Sequence, residues 1–144
     1  MIFIISVGGK LAQGLSLTRG NMPIIIDGWN MVRHEHSGID HDDALAGAGH
    51  LITILEHFQK THADPIILVF DSKSEFLDIP YRSTAKLHIV AARDADAYIK
   101  RYIDKVPPRQ RRNLRVVSSD RTLYFYAKDA RATPMKCEEF WGKL

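Results

Sequence analysis

Three aspartates lie at or just after the end of short apolar runs. Asp27 follows three isoleucines, Asp71 follows the run IILVF, and Asp120 follows the run VVSS. If these runs are parallel strands of one open sheet, their carboxyl ends meet at one edge and the three carboxylates converge there. Converging carboxylates repel one another unless a divalent cation lies between them, and their hard oxygens favour Mg²⁺ or Mn²⁺ over zinc. The pattern predicts chemistry on a phosphate group.

Each of these aspartates also has a purely structural interpretation. Aspartate is common in the turn after a strand and at the N-cap of a helix. Asp27-Gly28 is compatible with a simple turn, and Asp120 is compatible with the cap of a following helix. Their joint occurrence at three strand ends favours a site over three independent turns.

Two further acidic candidates, Asp94 and Asp96, open the helix that the apolar spacing predicts over residues 94–106. They lie near opposite edges of the apolar stripe, so helical periodicity does not choose between them. Position favours Asp94 as the N-cap or first-turn charge, which leaves Asp96 for the site.

The segments that would position these residues alternate between strand and helix patterns from residue 23 onward. Predicted strands cover 23–27, 66–71, 87–90, 114–118 and 132–135, and predicted helices cover 42–60, 94–106 and 122–130. This alternation predicts an α/β fold around a central, mostly parallel sheet.

Composition limits the class of protein. A chain of 144 residues that is 45% hydrophobic and 26% charged suits one folded domain and excludes a disordered or fibrous chain. Its longest apolar runs are far shorter than a membrane span, and its single cysteine excludes a disulfide scaffold. We therefore expect a cytoplasmic protein without membrane association. Residues 1–21 differ in composition and are predicted to be a non-core tail or an over-extended start, with the domain at 22–144.

Four short motifs resemble one nuclease family. The sequence IIDGWNM at 25–31 resembles the I-D-G-x-N motif that opens the NYN nucleases of the YacP-like branch, within the PIN-domain-like fold. VFD at 69–71 is similar to that branch's second strand, and ADAYI at 95–99 resembles its A-D-x-x-I helix start. SSD at 118–120 matches the S-x-D after the fourth strand. All four occur in order across residues 23–140.

The resemblance implies a PIN-like three-layer sandwich and a metal-dependent, endonucleolytic ribonuclease. The residues that it implies as ligands of Mg²⁺ or Mn²⁺ are Asp27, Asp96 and Asp120. Asp71 would be a further acidic member of the site. Asn30 would hydrogen-bond a carboxylate or the phosphate, and Ser118 would orient Asp120 or a metal-bound water.

A basic segment also points to a polyanionic partner. Residues 100–115 hold seven lysines and arginines and a single aspartate, although such a run is often only a solvated surface. With the resemblance, RNA becomes the expected partner and association with the ribosome a further expectation. The candidate RNA contacts in this segment are Lys105, Arg109, Arg111 and Arg112. Trp29, next to Asn30, either stacks on a base or packs in the core.

Two other functions compete with the nuclease. One is a catalytically weak RNA- or ribosome-binding module on the same fold. The other is a receiver-like or phosphatase domain in which one strand-end aspartate accepts a phosphoryl group. A lysine at a later strand end would favour the last, and none follows residues 116–119 directly.

Overall fold

The computed structural model describes residues 22–34, 44–72 and 82–144, in which five strands form one parallel sheet. The strands are β1 (Ile24–Asp27), β2 (Ile66–Asp71), β3 (Leu87–Ala92), β4 (Arg115–Val117) and β5 (Thr133–Met135). Their order across the sheet is β3-β2-β1-β4-β5, and each neighbouring pair is parallel. The predicted parallel sheet is confirmed.

Helices cover both faces of this sheet. They are α1 (Gly28–Val32), α2 (Ala44–Phe58), α3 (Ala95–Lys105), α4 (Arg121–Asp129) and α5 (Cys137–Trp141), with a 3₁₀ helix at Pro108–Asn113. Successive residues of a strand face opposite sides of the sheet. Ile24 and Ile26 accordingly pack with α1, α2 and α5, whereas Ile25 packs with α3 and α4. Apolar packing on both sides explains why the strands are continuous apolar runs.

The structure contains α5 and two other elements outside the predicted ranges, and those two lie in segments expected as turn or loop. The first is α1, which begins directly after β1 because Asp27 caps it. The second is the 3₁₀ helix, which starts at Pro108, a residue suited to the first turn of a helix. The third strand is longer than predicted and runs on to Ala92.

Some predictions fall outside the part of the chain that the structure describes, among them the status of residues 1–21. Across the described ranges, every helix is too short or too polar to cross a membrane.

Candidate active site

An acidic cleft lies at the carboxyl edge of the sheet. From β1 the chain adds β2 and then β3 on one side of the sheet, whereas β4 and β5 are added on the other side. The point where this direction switches lies between β1 and β4. Ligands of open parallel sheets bind in the crevice at such a point. A cavity of about 650 Å³ lies here, and the carboxylates that line it are Asp27, Asp71, Asp94, Asp96 and Asp120. The four carboxylates expected from the sequence are therefore brought together from four separate elements.

Asp27 is the most perturbed of these carboxylates. Its pKa is raised from 3.8 to about 6, chiefly by burial, and the negative charges of Asp96, Asp120 and Asp71 contribute to this rise. The backbone N–H of Asn30 acts in the opposite direction, because it donates to the ionised carboxylate. Ionised Asp27 is therefore costly in this cleft and gains from any positive charge placed beside it.

Asp27 and Asp120 each combine a helix-capping role with exposure to the cleft. Asp27 Oδ1 accepts from the N–H of Asn30 at 3.4 Å and caps α1. Asp120 Oδ1 accepts from the N–H groups of Thr122 and Leu123 at 2.8 and 3.4 Å and caps α4. In each case the hydrogen bonds within the described residues use Oδ1 alone, so Oδ2 is left for a ligand. The cap and the site are thus compatible interpretations of the same residue.

Asp94 caps α3, as its position in the sequence predicts, and Asp96 lies within the helix. Asp94 is the N-cap of α3, and its Oδ1 accepts from the N–H of Ala97 at 3.1 Å. Asp96 lies in the first turn and forms an ion pair of 3.4 Å with Lys100, one turn along the helix. Both aspartates line the cleft, so Asp94 also contributes to its negative potential.

Asn30 is held by residues distant in the sequence. Its Oδ1 accepts from the N–H of Ser119, from Ser118 Oγ at 3.4 Å and from Cys137 Sγ at 3.3 Å. These donors determine which end of the amide faces them, so the Nδ2 group is the end available to the cleft that Asn30 lines. Ser118 Oγ also accepts from the N–H of Asp120 at 3.0 Å. One buried serine therefore links the amide of Asn30 to the backbone of Asp120.

A family model decides the identity of this arrangement. The model of the YacP-like NYN domain matches residues 24–144, which include every element described above. The chain belongs to the YacP-like NYN domain family. The family resemblance seen in the four motifs is confirmed.

Solved structures agree with this assignment of the NYN domain. The crystal structure of Rae1 (YacP) from Bacillus subtilis in its W164L mutant form is 16% identical, with a TM-score of 0.65 over 84% of this chain and 73% of that chain. A second crystal structure of Rae1 (YacP) from Bacillus subtilis is also 16% identical, with a TM-score of 0.63 over 83% and 71% of the two chains. At this identity the likeness establishes the fold. A search of curated proteins found no match.

Trp29 of the NYN domain packs in the core. Its side chain is 4% exposed, its ring centroid lies 4.7 Å from that of Phe70, and its Nε1 donates to the carbonyl of Asp71 at 3.0 Å. Of the two roles that the sequence left open, the structure favours packing, because little of the indole is free to stack on a base.

Arg33 is a cleft residue that the sequence analysis missed. It is exposed, it lines the cleft, and its guanidinium carbon lies 5.2 Å from the centroid of the Trp29 ring. Its spacing from Asn30 could have identified it in the sequence, because residues three apart lie on the same side of a helix such as α1. It brings a positive charge to an otherwise acidic cavity.

The predicted RNA-binding cations lie at the opposite edge of the sheet. Helix α3 starts beside the cleft and runs back across the sheet for 11 residues, or about 16 Å. Lys105 ends this helix, and the 3₁₀ helix that carries Arg109, Arg111 and Arg112 leads into the start of β4. None of these four residues lines the cleft. These four residues are close to Asp96 in the sequence, but they are separated from the cleft in the structure.

The donor set of the cleft suits a hard divalent cation. As the side chains stand, the described residues contain no group of three or more His, Cys, Asp or Glu that could hold a metal ion. The cleft nevertheless offers carboxylate oxygens from several elements, with Oδ2 of Asp27 and Asp120 outside the capping bonds. Besides burial, the charges of Asp96, Asp120 and Asp71 contribute to the raised pKa of Asp27. Oxygen-only donors of this kind fit Mg²⁺ or Mn²⁺.

Proposed function

We propose that this NYN domain is a divalent-metal-dependent ribonuclease that hydrolyses phosphodiesters within RNA chains in the cytoplasm, where ribosome-associated RNA is among its substrates. One observation carries the proposal. Carboxylates from β1, β2, α3 and the loop after β4 meet in a single cleft, where burial, together with the charges of the other three, raises the pKa of Asp27. Membership of a nuclease-type family supports the same conclusion.

Asp27, Asp96 and Asp120 would hold the cation, and Asp71 would complete the acidic wall. When bound, Mg²⁺ or Mn²⁺ supplies a positive charge that polarises a phosphate oxygen and lowers the pKa of water. The carboxylates themselves repel the phosphodiester, so substrate binding needs donors on the same cleft. The chain supplies them from α1 and its C-cap, through the Nδ2 group of Asn30 and the guanidinium of Arg33.

A covalent route through the protein is disfavoured by the environment of Cys137. This thiol is buried, and burial raises its pKa from 9.0 to about 11. A thiol that is protonated at neutral pH and hydrogen-bonded to Asn30 is a poor nucleophile. Cys137 instead helps to hold the Asn30 amide in place, and water remains the attacking group.

Cleavage of a labelled RNA pool tests the proposal. The wild-type chain is incubated with Mn²⁺ or Mg²⁺, with chelator, and as the Asp27→Asn variant. We expect metal-dependent cleavage that falls by about 100-fold or more in the variant, because a ligand should matter at least as much as its supporting shell. Glu56→Gln is the control, since Glu56 is an exposed carboxylate on α2 outside the cleft lining. With RNA labelled at its 5′ end, products of intermediate length identify an endonuclease.

Two outcomes would contradict the proposal. Cleavage that survives both the chelator and Asp27→Asn would remove the carboxylates from the chemistry. RNA binding without cleavage under any condition would favour the alternative, an RNA- or ribosome-binding module on the same fold.

A further inference from the structure

Four exposed cations gather at the amino edge of the sheet, opposite the acidic cleft. We call this set, which consists of Lys105, Arg109, Arg112 and Arg131, the basic edge. Two chain segments are joined there, because β4 and β5 are neighbours and Thr133 Oγ1 donates to the carbonyl of Arg112 at 2.8 Å. The turn that carries Arg131 therefore lies beside the 3₁₀ helix.

Arg111 holds the 3₁₀ helix in place, whereas the side chains of Arg109 and Arg112 on the same helix are exposed to solvent. Arg111 donates from Nε to the carbonyl of Val106 at 2.9 Å and from Nη2 to the carbonyl of Asp104 at 3.1 Å. The Asp104 carboxylate in turn accepts from the hydroxyl of Tyr126 at 2.7 Å. The four side chains of the basic edge, in contrast, form no hydrogen bond or ion pair with the described residues. Their charges are available to a partner.

Arg131 provides a second and independent observation. Its φ is 69°, the only positive value at a non-glycine residue in the described chain. The N–H of Ala132 donates to the carbonyl of Ala127, and that of Arg131 to the carbonyl of Lys128. This is the Schellman pattern, whose left-handed position usually holds glycine. An arginine kept at a position that favours glycine points to a role for its side chain.

The two edges are too far apart to act on one phosphate. Helix α3 alone separates them by about 16 Å, which at about 3.4 Å per stacked nucleotide corresponds to roughly five nucleotides. Exposed arginines and lysines without acidic partners are suited to a phosphate backbone and to no particular base.

We propose that the basic edge is a separate binding site for the RNA backbone, which engages strands long enough to reach it from the acidic cleft. The inference rests on the proposed function for the identity of the polyanion and for the strand that starts in the cleft. It makes the affinity for RNA depend on length, with an increase once about five nucleotides extend beyond the cleft.

Binding of fluorescent single-stranded RNAs of 4 to 20 nucleotides tests this inference, measured with Ca²⁺ in place of Mg²⁺ so that the cleft carboxylates are neutralised while cleavage is suppressed. The test variant is Arg109→Ala/Arg112→Ala. The control is Lys60→Ala/Lys143→Ala, which removes the same charge from exposed lysines after α2 and α5. If each arginine contacts one phosphate, its loss lowers the salt slope by about 0.7, so the pair lowers it by about 1.4. The ratio of wild-type to variant affinity for the 20-nucleotide RNA should therefore be about 25-fold larger at 0.1 M salt than at 1 M salt.

Arg131→Gly separates binding from folding. Glycine relieves the positive φ, so this variant should melt at a temperature at least as high as that of the wild type while it binds the long RNA more weakly. Weaker binding then has no explanation in unfolding.

Three results would overturn the proposal. They are an affinity that does not rise with RNA length, an unchanged salt slope in the double variant, and equal weakening by the control pair. The outcome is distinguishable from that of the cleavage experiment. If the basic edge binds long RNA but the chain never cleaves it, the nuclease proposal is refuted and the binding site is supported. If the chain cleaves RNA but the double variant has no effect on binding, the nuclease proposal is supported and the binding site is refuted.

Discussion

Asp27→Asn should stabilise the metal-free protein at neutral and alkaline pH. The Asp27 carboxyl has a pKa of about 6 in the folded chain against an ordinary value of 3.8. At about 1.4 kcal/mol per pH unit, this difference corresponds to about 3 kcal/mol of stability lost once the group ionises. Asparagine caps a helix about as well as aspartate, so the bond to the N–H of Asn30 is retained.

The sign of the pH dependence follows from the direction of the shift. A raised pKa means that the folded state binds the proton more tightly than the unfolded state does. The cost is therefore absent below about pH 4, grows between pH 4 and 6, and is complete above pH 6. Because burial of the asparagine amide also costs free energy at every pH, we expect the variant to be more stable by about 1–3 kcal/mol at pH 8 and less stable than the wild type by about 0–2 kcal/mol near pH 4.

Urea denaturation in chelator at pH 4, 6 and 8 measures this difference. Asp120→Asn is the control, because Asp120 is exposed and asparagine preserves its cap, so it should give a smaller gain. Saturating Mg²⁺ should stabilise the wild type, by about 2.7 kcal/mol at 100 times the Kd, and have little effect on Asp27→Asn. An advantage of Asp27→Asn that is the same at pH 4 and pH 8, or absent at both, would refute the electrostatic argument.

Three further predictions concern the walls of the site. Gly28→Ala should lower the free energy of unfolding by about 1–3 kcal/mol, because the new Cβ would lie 2.6 Å from the Phe70 ring; an unchanged urea midpoint would contradict this. Trp29→Phe removes the hydrogen bond to the carbonyl of Asp71 and should cost about 1–3 kcal/mol by the same assay, whereas a purely surface role predicts no loss. Cys137, buried with a pKa of about 11, should resist iodoacetamide at pH 8 until urea unfolds the chain, and rapid alkylation of the native protein would show that the thiol is accessible.

The central strands and their aspartates could be predicted because β1 and β2 are continuous apolar runs that end in aspartate, and the short apolar β4 is followed by Asp120. Burial on both faces requires such a run, and the parallel arrangement then brings Asp27, Asp71 and Asp120 to one edge. Asp96 needed the family resemblance, since helical spacing alone did not separate it from Asp94. Both line the cleft, and the choice between them depended on which one caps the helix.

Other features depend on contacts that no local pattern records. Helix α1 has only five residues, too few to show a helical period. It begins within the dipeptide Asp27-Gly28, which also suits a turn. The bond between Asn30 and Cys137 joins residues 107 positions apart. The position of Arg109 was within reach of reasoning, because a helix that follows one parallel strand returns the chain to the opposite edge before the next.

The central place of β1 has a consequence for biosynthesis. This strand is made before the other four, yet one of its two neighbours is β4, whose Arg115 pairs with Ile24 across about 90 positions of chain. At about 5–20 residues per second, translation takes roughly 5 to 20 seconds to pass from Asp27 to Asp120. Until then the nascent chain lacks the partner strand and one wall of the cleft. A polypeptide that stops before β4 therefore carries three of the four carboxylates and no complete site, so any cleavage requires synthesis past Asp120.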